Sequence, residues 1–170
     1  MRSAKVCIIG DFAVGKTSTI ARFVKNEFSE KYLTTVGVKI DTKEVETNQG
    51  PLKLIIWDVA GTDRLSDIEF AYLRGSAGLI LVADGTRAAT VDSALRLRAD
   101  LIAQHGELPF VAILNKSDLS QQWEITDDVL EASRTAGADW ILCSAKTGEG
   151  VADAIQELAT TIMHSSTLSK

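Results

Sequence analysis

The stretch from Lys5 to Phe23 constrains the chain most. An apolar run, Val6-Cys7-Ile8-Ile9, ends at Gly10, and Asp11-Phe12-Ala13-Val14-Gly15-Lys16-Thr17 leads into Ser18-Thr19-Ile20-Ala21-Arg22-Phe23, which has helical spacing. A buried-strand signal, a glycine-bounded loop and a helix in this order give the phosphate-binding pattern Gly-x-x-x-x-Gly-Lys-Ser/Thr in the context its mechanism requires. Gly10 and Gly15 let the backbone curl until successive N–H groups point inward, and the helix adds its positive N-terminal end. The product is a cradle for a polyphosphate. Lys16 reaches the β- and γ-phosphates, and the Thr17 hydroxyl offers Mg²⁺ the hard oxygen it prefers. The bland alternative is a glycine turn followed by an incidental Lys-Thr pair, and the flanking strand and helix argue against it.

The 170 residues, 45% hydrophobic, suffice for one domain with a sizeable core. That domain is expected over 1–164, with a short polar tail at 165–170. Lys and Arg number 18 against 23 Asp and Glu, a net charge of −5, so no global basic field draws in nucleic acid and a polyphosphate must be held locally. Cys7 and Cys143 lie in apolar segments, outside any Cys-x-x-Cys pattern, which suits a reducing cytoplasm. No signal peptide or membrane-length apolar run is visible, and no prenylation or myristoylation pattern, so neither a span nor a lipid anchor is expected. Further along, Val38 to Glu46 alternates apolar and polar residues, the turn Thr47-Asn48-Gln49-Gly50 follows, and Leu52 to Trp57 is the antiparallel partner. Gly78 to Asp84 and Phe110 to Leu114 are continuous apolar runs typical of strands covered on both faces, and Trp140 to Cys143 is the last strand. Helices are expected over 90–104, 126–135 and 150–163, with Arg96, Arg98 and Asp100 facing outward, while 62–75 has no clear period. Strand and helix alternate after one hairpin. The fold class is therefore α/β: a doubly wound, mostly parallel six-stranded sheet with one antiparallel strand and ligands at the carboxyl ends of its strands.

Two later motifs select the base. Asn115-Lys116-Ser117-Asp118 follows a strand. The Asp118 carboxylate can accept from both N1–H and the N2 amino group of guanine, whereas adenine would leave it unpaired. Ser144-Ala145-Lys146 follows the last strand, where the Ala145 N–H can meet guanine O6 and Lys146 can cover the ring. Together with Asp58-Val59-Ala60-Gly61, these motifs in this order resemble the Ras superfamily of small GTPases, within the P-loop NTPase fold. Trp57-Asp58-Val59-Ala60-Gly61 and Tyr72-Leu73-Arg74-Gly75 are similar to Rab proteins, and Ala13 with Thr17 is closer to Rho.

The resemblance implies a GTP/GDP switch with Mg²⁺, monomeric and cytoplasmic, hydrolysing GTP slowly. Loops 28–38 and 60–75 would signal nucleotide state to an effector, an exchange factor and a GTPase-activating protein. It implies that Asp11, Phe12, Ala13, Val14, Gly15, Lys16, Thr17 and Ser18 wrap the phosphates, and that Thr35 closes on Mg²⁺ and the γ-phosphate, with Thr34 its rival by proximity. Asp58 would hold Mg²⁺ through water and the Gly61 N–H would sense the γ-phosphate. Phe28 matches an aromatic that leans on guanine, although a core or staple Phe beside the first helix reads nearly as well from sequence. Asn115, Lys116, Asp118, Ser144, Ala145 and Lys146 complete the base site, and Lys16, Thr35, Gly61 and Thr62 stand at the catalytic positions. Trp57 and Tyr72 resemble two members of an aromatic cluster that Rab proteins use for partners, with Ile40 in place of the third. Two residues depart from the family pattern. Thr62 replaces the Gln that orients water, and Phe12 stands where Ras and Rho have Gly. Both departures touch hydrolysis, so a GTP-locked binding module with negligible turnover is the alternative reading.

Overall fold

A computed structural model of the chain describes residues 1–29 and 37–168. Its strands and helices run in the order β1 (Arg2–Gly10), α1 (Lys16–Lys25), β2 (Val38–Thr47), β3 (Gly50–Val59), α2 (Asp67–Leu73), β4 (Gly78–Asp84), α3 (Ala89–His105), β5 (Phe110–Asn115), a 3₁₀ turn (Ser120–Gln122), α4 (Asp127–Thr135), β6 (Trp140–Leu142) and α5 (Val151–Leu168). Among the described residues six strands form one sheet ordered β2-β3-β1-β4-β5-β6, in which only the β2–β3 pair is antiparallel. This is the expected doubly wound arrangement.

The two-residue side-chain period of the strands builds a core on each face. Val6 and Ile8 of β1, Ile80 and Val82 of β4, and Val111 and Ile113 of β5 point to one side, under Ile20 and Phe23 of α1 and Ile155, Leu158 and Ile162 of α5. Cys7 and Ile9, Leu79 and Leu81, and Ala112 and Leu114 point to the other, under Val91, Leu97 and Leu101 of α3. Every residue of β4 is buried, which explains its unbroken apolar run. β1 has β3 on one side and β4 on the other, so the strand order reverses there. The loop after β1 thus emerges at the point where open α/β sheets bind ligands.

Several elements differ from expectation. Residues 67–73 form α2, opened by a capping box in which Ser66 Oγ accepts from Glu69 N–H at 3.3 Å and Glu69 Oε1 accepts from Ser66 N–H at 3.0 Å. The last helix reaches Leu168 rather than ending at 163. Arg98 does not face outward: its guanidinium lies 3.9 Å from the Phe110 ring centroid and its side chain is only 16% exposed.

Candidate functional site

The carboxyl ends of β1, β3, β4, β5 and β6 deliver Gly10, Asp58, Asp84, Asn115 and the Ser144 loop to one edge of the sheet. Two glycines of the first loop cannot be replaced without collision. A Cβ on Gly10 would lie 2.4 Å from the Val82 carbonyl oxygen, and one on Gly15 would lie 2.3 Å from Asn115 Nδ2, with Gly15 already at φ +97°. Ala13 also has positive φ, 59°. Three consecutive carbonyls of the loop are held from outside: Phe12 O accepts from Arg87 Nη2, Ala13 O from Lys116 Nζ at 3.1 Å, and Val14 O from Asn115 Nδ2 at 3.0 Å. In a trans peptide the carbonyl and the next N–H point opposite ways, so these three bonds turn the N–H groups of Ala13, Val14 and Gly15 inward. Asp11 and Ser18 flank the curl: the Asp11 carboxylate accepts from Phe12 N–H at 2.7 Å and from Ser93 Oγ at 2.7 Å, and Ser18 lies partly buried in the first turn of α1. Gly15, at the N-cap of α1, brings no side chain to cap the helix, and no acidic residue sits in its first turn. Its N-terminal end is therefore open to an anion.

Lys16 is 6% exposed, and burial pushes its ammonium below the ordinary 10.5, with Asp58, Asp11 and Glu69 offsetting part of that shift. Such a desolvated cation is suited to a polyphosphate. Thr17 Oγ1 donates to Asp58 Oδ2 at 2.6 Å, so two hard oxygens from α1 and β3 stand side by side. That donor pair fits Mg²⁺, an ion that takes few protein ligands and fills its octahedron with water and phosphate oxygens. Among the described residues no cluster of three or more His, Cys, Asp or Glu could hold a metal unaided. A Cβ on Gly61 would lie 3.0 Å from each of Lys16 Nζ, Asp11 O and Phe12 Cα. Gly61 thus abuts the lysine. Thr62 behaves otherwise than its catalytic position suggests: its hydroxyl donates to Arg64 O at 2.7 Å and accepts from Arg64 N–H at 3.1 Å. A short side chain that closes on its own turn is not placed to hold water. Phe12 is 59% exposed, Phe28 is partly buried, and Thr35 falls outside the described residues, as does Thr34.

At the other end, Ser144 Oγ donates to Asp118 Oδ1 at 2.7 Å and accepts from Thr147 N–H at 3.1 Å. The carboxylate is thereby aimed while its other oxygen stays available. The Ala145 N–H, expected to meet guanine O6, instead donates to Asn115 Oδ1 at 3.0 Å, so Asn115 ties this loop to the phosphate loop. Lys146 is exposed. Arg22 of α1, which sequence reasoning missed, donates to Ala145 O and Lys146 O and so anchors the base loop from beneath.

Sequence reasoning also missed Asp84, 1% exposed at the end of β4. Its Oδ2 accepts from Lys116 Nζ at 2.8 Å and Arg87 Nε at 3.0 Å, and its Oδ1 from Thr86 N–H at 2.8 Å and Thr86 Oγ1 at 2.7 Å. Burial alone would raise this carboxyl, but Lys116, Thr86 and Arg87 together hold it below the ordinary 3.8. Away from the cradle, Ile40 pairs in register with Trp57, whose ring centroid lies 6.5 Å from that of Tyr72.

Residues 5–164 match the model of the Ras family. The chain is 36% identical to the Ras-related protein YPTC6 of Chlamydomonas reinhardtii over 163 residues, covering 94% of this chain and 75% of that protein. It is 37% identical to the Ras-related protein RABA4b of Arabidopsis thaliana over 161 residues, 93% of this chain and 71% of the relative. With the Ras-related protein Rab-25 of Bos taurus the identity is 42% over 123 residues, 71% of this chain and 57% of that protein.

Proposed function

The chain belongs to the Ras family and is a Rab-like, GTP-binding switch GTPase; from that premise we propose that it is a slow GTPase whose segments 28–38 and 60–75, the second of which includes α2, report the bound nucleotide to partners. The observation that carries the site assignment is the juxtaposition of a desolvated Lys16, the Thr17–Asp58 oxygen pair and Gly61 at one end with the Ser144-oriented Asp118 at the other. A triphosphate lies along the inward N–H groups of residues 13–15, and guanine donates its N1–H and N2 amino protons to Asp118. Thr17 would ligate Mg²⁺ and Asp58 would hold it through water, with Thr35 a further ligand when GTP is bound. Bound there, Mg²⁺ would supply positive charge beside the phosphates during transfer.

In hydrolysis water attacks the γ-phosphorus, the bond from that phosphorus to the β–γ bridging oxygen breaks, and GDP and phosphate result. Lys16 and the inward N–H groups stabilise the growing charge on the leaving oxygen, and the Gly61 N–H faces the γ-phosphate. Water orientation is the weak part, because the Thr62 hydroxyl is engaged with Arg64 and carries no amide. Phe12 crowds the approach of an incoming arginine. The intrinsic rate is therefore very slow, and an activating protein must supply the missing amide as well as charge. A cytoplasmic, monomeric protein is part of this reading. Among the described residues no helix is long and apolar enough to cross a membrane.

Two measurements test it. Competition between GTP and ATP for the nucleotide-free protein should favour GTP strongly; equal affinity would refute the base assignment. Phosphate release from preloaded GTP should be slow in the native protein, faster in Thr62→Gln, and faster again in Thr62→Gln with Phe12→Gly. A double variant no faster than native would refute the account of turnover, and undetectable release from all forms would favour the GTP-locked module.

A further inference from the structure

We infer that Arg87 is a positioning residue of the phosphate loop, one that holds the Phe12 carbonyl outward and thereby turns the Ala13 N–H toward the terminal phosphate. The inference rests on the nucleotide reading above and assigns within it a residue that no motif contains.

The geometry is specific to residue 12. Arg87 Nη2 donates to Phe12 O at 2.5 Å, while the Phe12 N–H is occupied by Asp11 Oδ1 at 2.7 Å. Because that N–H faces Asp11, the first inward N–H of the cradle is the one on Ala13, and the orientation of its peptide is set by the Phe12 carbonyl. Lys116 and Asn115 fix the next two peptides, and both belong to the guanine motif. Arg87 alone of the three comes from the turn between β4 and α3. It also serves the far end of the cradle. Phe12 Cα lies 3.0 Å from the point where a Gly61 Cβ would stand, and Lys16 Nζ is 3.0 Å from the same point. The peptide that Arg87 orients therefore adjoins the two groups that face the γ-phosphate, whereas Gly15 adjoins Asn115.

Arg87 is itself held. Its Nε donates to the buried Asp84 at 3.0 Å, and the turn carrying it is closed by Arg87 N–H to Asp84 O at 2.9 Å and by Thr90 Oγ1 to Arg87 O at 2.7 Å. The segment after the 3₁₀ turn buttresses this turn from outside. Glu124 N–H donates to Gly85 O at 2.8 Å, Glu124 Oε1 accepts from Ala88 N–H at 2.9 Å, and the Trp123 ring occupies the space a Gly85 Cβ would need, 1.9 Å away. A planar guanidinium can bridge the carboxylate and the carbonyl at once. A lysine ammonium is a point donor on a flexible stem and does not reproduce that span.

The test uses Arg87→Ala and Arg87→Lys in the full chain, with GDP and a non-hydrolysable GTP analogue as probes. Loss of a charge-assisted bond that orders one peptide should weaken the analogue by on the order of tenfold relative to GDP, with GDP affinity held within about twofold. Single-turnover hydrolysis should fall by a similar factor. Lysine should not restore either quantity; restoration would mean that charge near the phosphate, not bridging, is what matters, and would overturn the inference. In the native protein the Ala13 amide resonance should shift when the analogue replaces GDP, and in Arg87→Ala that shift should shrink. Equal losses of analogue and GDP, or an unchanged Ala13 response, would assign Arg87 a merely structural role and overturn the inference. The native preference for GTP over ATP, read in the same titrations, reports on the base assignment alone. Should ATP prove the better ligand, that assignment falls, and the triphosphate-to-diphosphate ratio still decides the role of Arg87.

Discussion

Replacing Asp84 by Asn removes one charge from a buried hub and leaves its shape, so the loss can be worked from the contacts. Oδ2 accepts from two cations, Lys116 at 2.8 Å and Arg87 at 3.0 Å, and Oδ1 accepts twice from Thr86. An amide has one acceptor atom. Whichever way the new side chain turned, its NH₂ would face donors on one side. Hydrogen bonds to charged groups contribute about 1.5–3 kcal/mol each, and removing one member of a buried pair costs about 3–5 kcal/mol. Lys116 and Arg87 are 31% and 43% exposed, so water takes over part of their solvation. A net loss of about 3 kcal/mol follows, near the lower bound for a buried pair. For a domain of this size that is a fall of roughly 6–12 °C in the melting midpoint. The assay is thermal unfolding of native and Asp84→Asn protein, each with saturating GDP and Mg²⁺. The sign with pH is fixed by the depressed carboxyl: its contribution is present in full above the ordinary 3.8 and disappears as pH falls through the lower folded value. The gap between the two proteins should therefore narrow on strong acidification. A midpoint within about 2 °C of native at neutral pH, less than one kcal/mol, would refute the hub, as would a gap that does not narrow in acid.

Other outcomes follow from the same contacts. Asp118→Asn should weaken GTP by on the order of 10³-fold, the worth of two charge-assisted bonds, while admitting xanthosine triphosphate, whose extra carbonyl accepts where guanine donates; competition binding checks this. Thr17→Ala should impair retention of both nucleotides, whereas Thr35→Ala should leave GDP affinity near native, as dissociation rates with and without Mg²⁺ will reveal. Lys16 is desolvated, so the unfolded chain binds more protons than the nucleotide-free folded state between the lowered folded value and the ordinary 10.5. Denaturant midpoints of nucleotide-free protein should accordingly rise with pH in that window relative to Lys16→Met.

What could be read from the sequence was whatever local pattern encodes. β4 and β5 were legible because burial on both faces makes them continuous apolar runs, and the hairpin because two polar turn residues separate two alternating strands. Helix α2 was missed because it buries little: only Leu73 is buried, and Ile68 is 66% exposed, so no apolar period stands out. Its one usable signal was Ser66 followed three residues later by Glu69. The phosphate loop and the base motif were legible because their chemistry requires fixed residues at fixed spacing. The groups that aim them were not. Arg87 meets Phe12 across 75 residues of sequence, Ser93 meets Asp11 across 82, and Arg22 meets Ala145 across 123. Contacts of that span leave no local trace, since in the sequence Arg87, Ser93 and Arg22 each read as an ordinary polar residue of a turn or helix.

The two departures from the family pattern acquire a physical meaning in this arrangement. Phe12 is clamped at both its N–H and its carbonyl, yet its side chain projects to solvent, so the backbone that shapes the cradle does not depend on the ring. Thr62 likewise contributes its N–H to Gly10 O at 3.1 Å, which ties the segment after β3 to the phosphate loop, while its hydroxyl closes on Arg64. In both cases the main chain serves the binding geometry and the side chain alone differs from the family. Binding and turnover are therefore separable here. On the proposed reading, substitutions at these side chains would alter how water and an incoming arginine approach the γ-phosphate, whereas loss of Asp84, Asn115 or Arg87 would act on the contacts that hold the loop carbonyls.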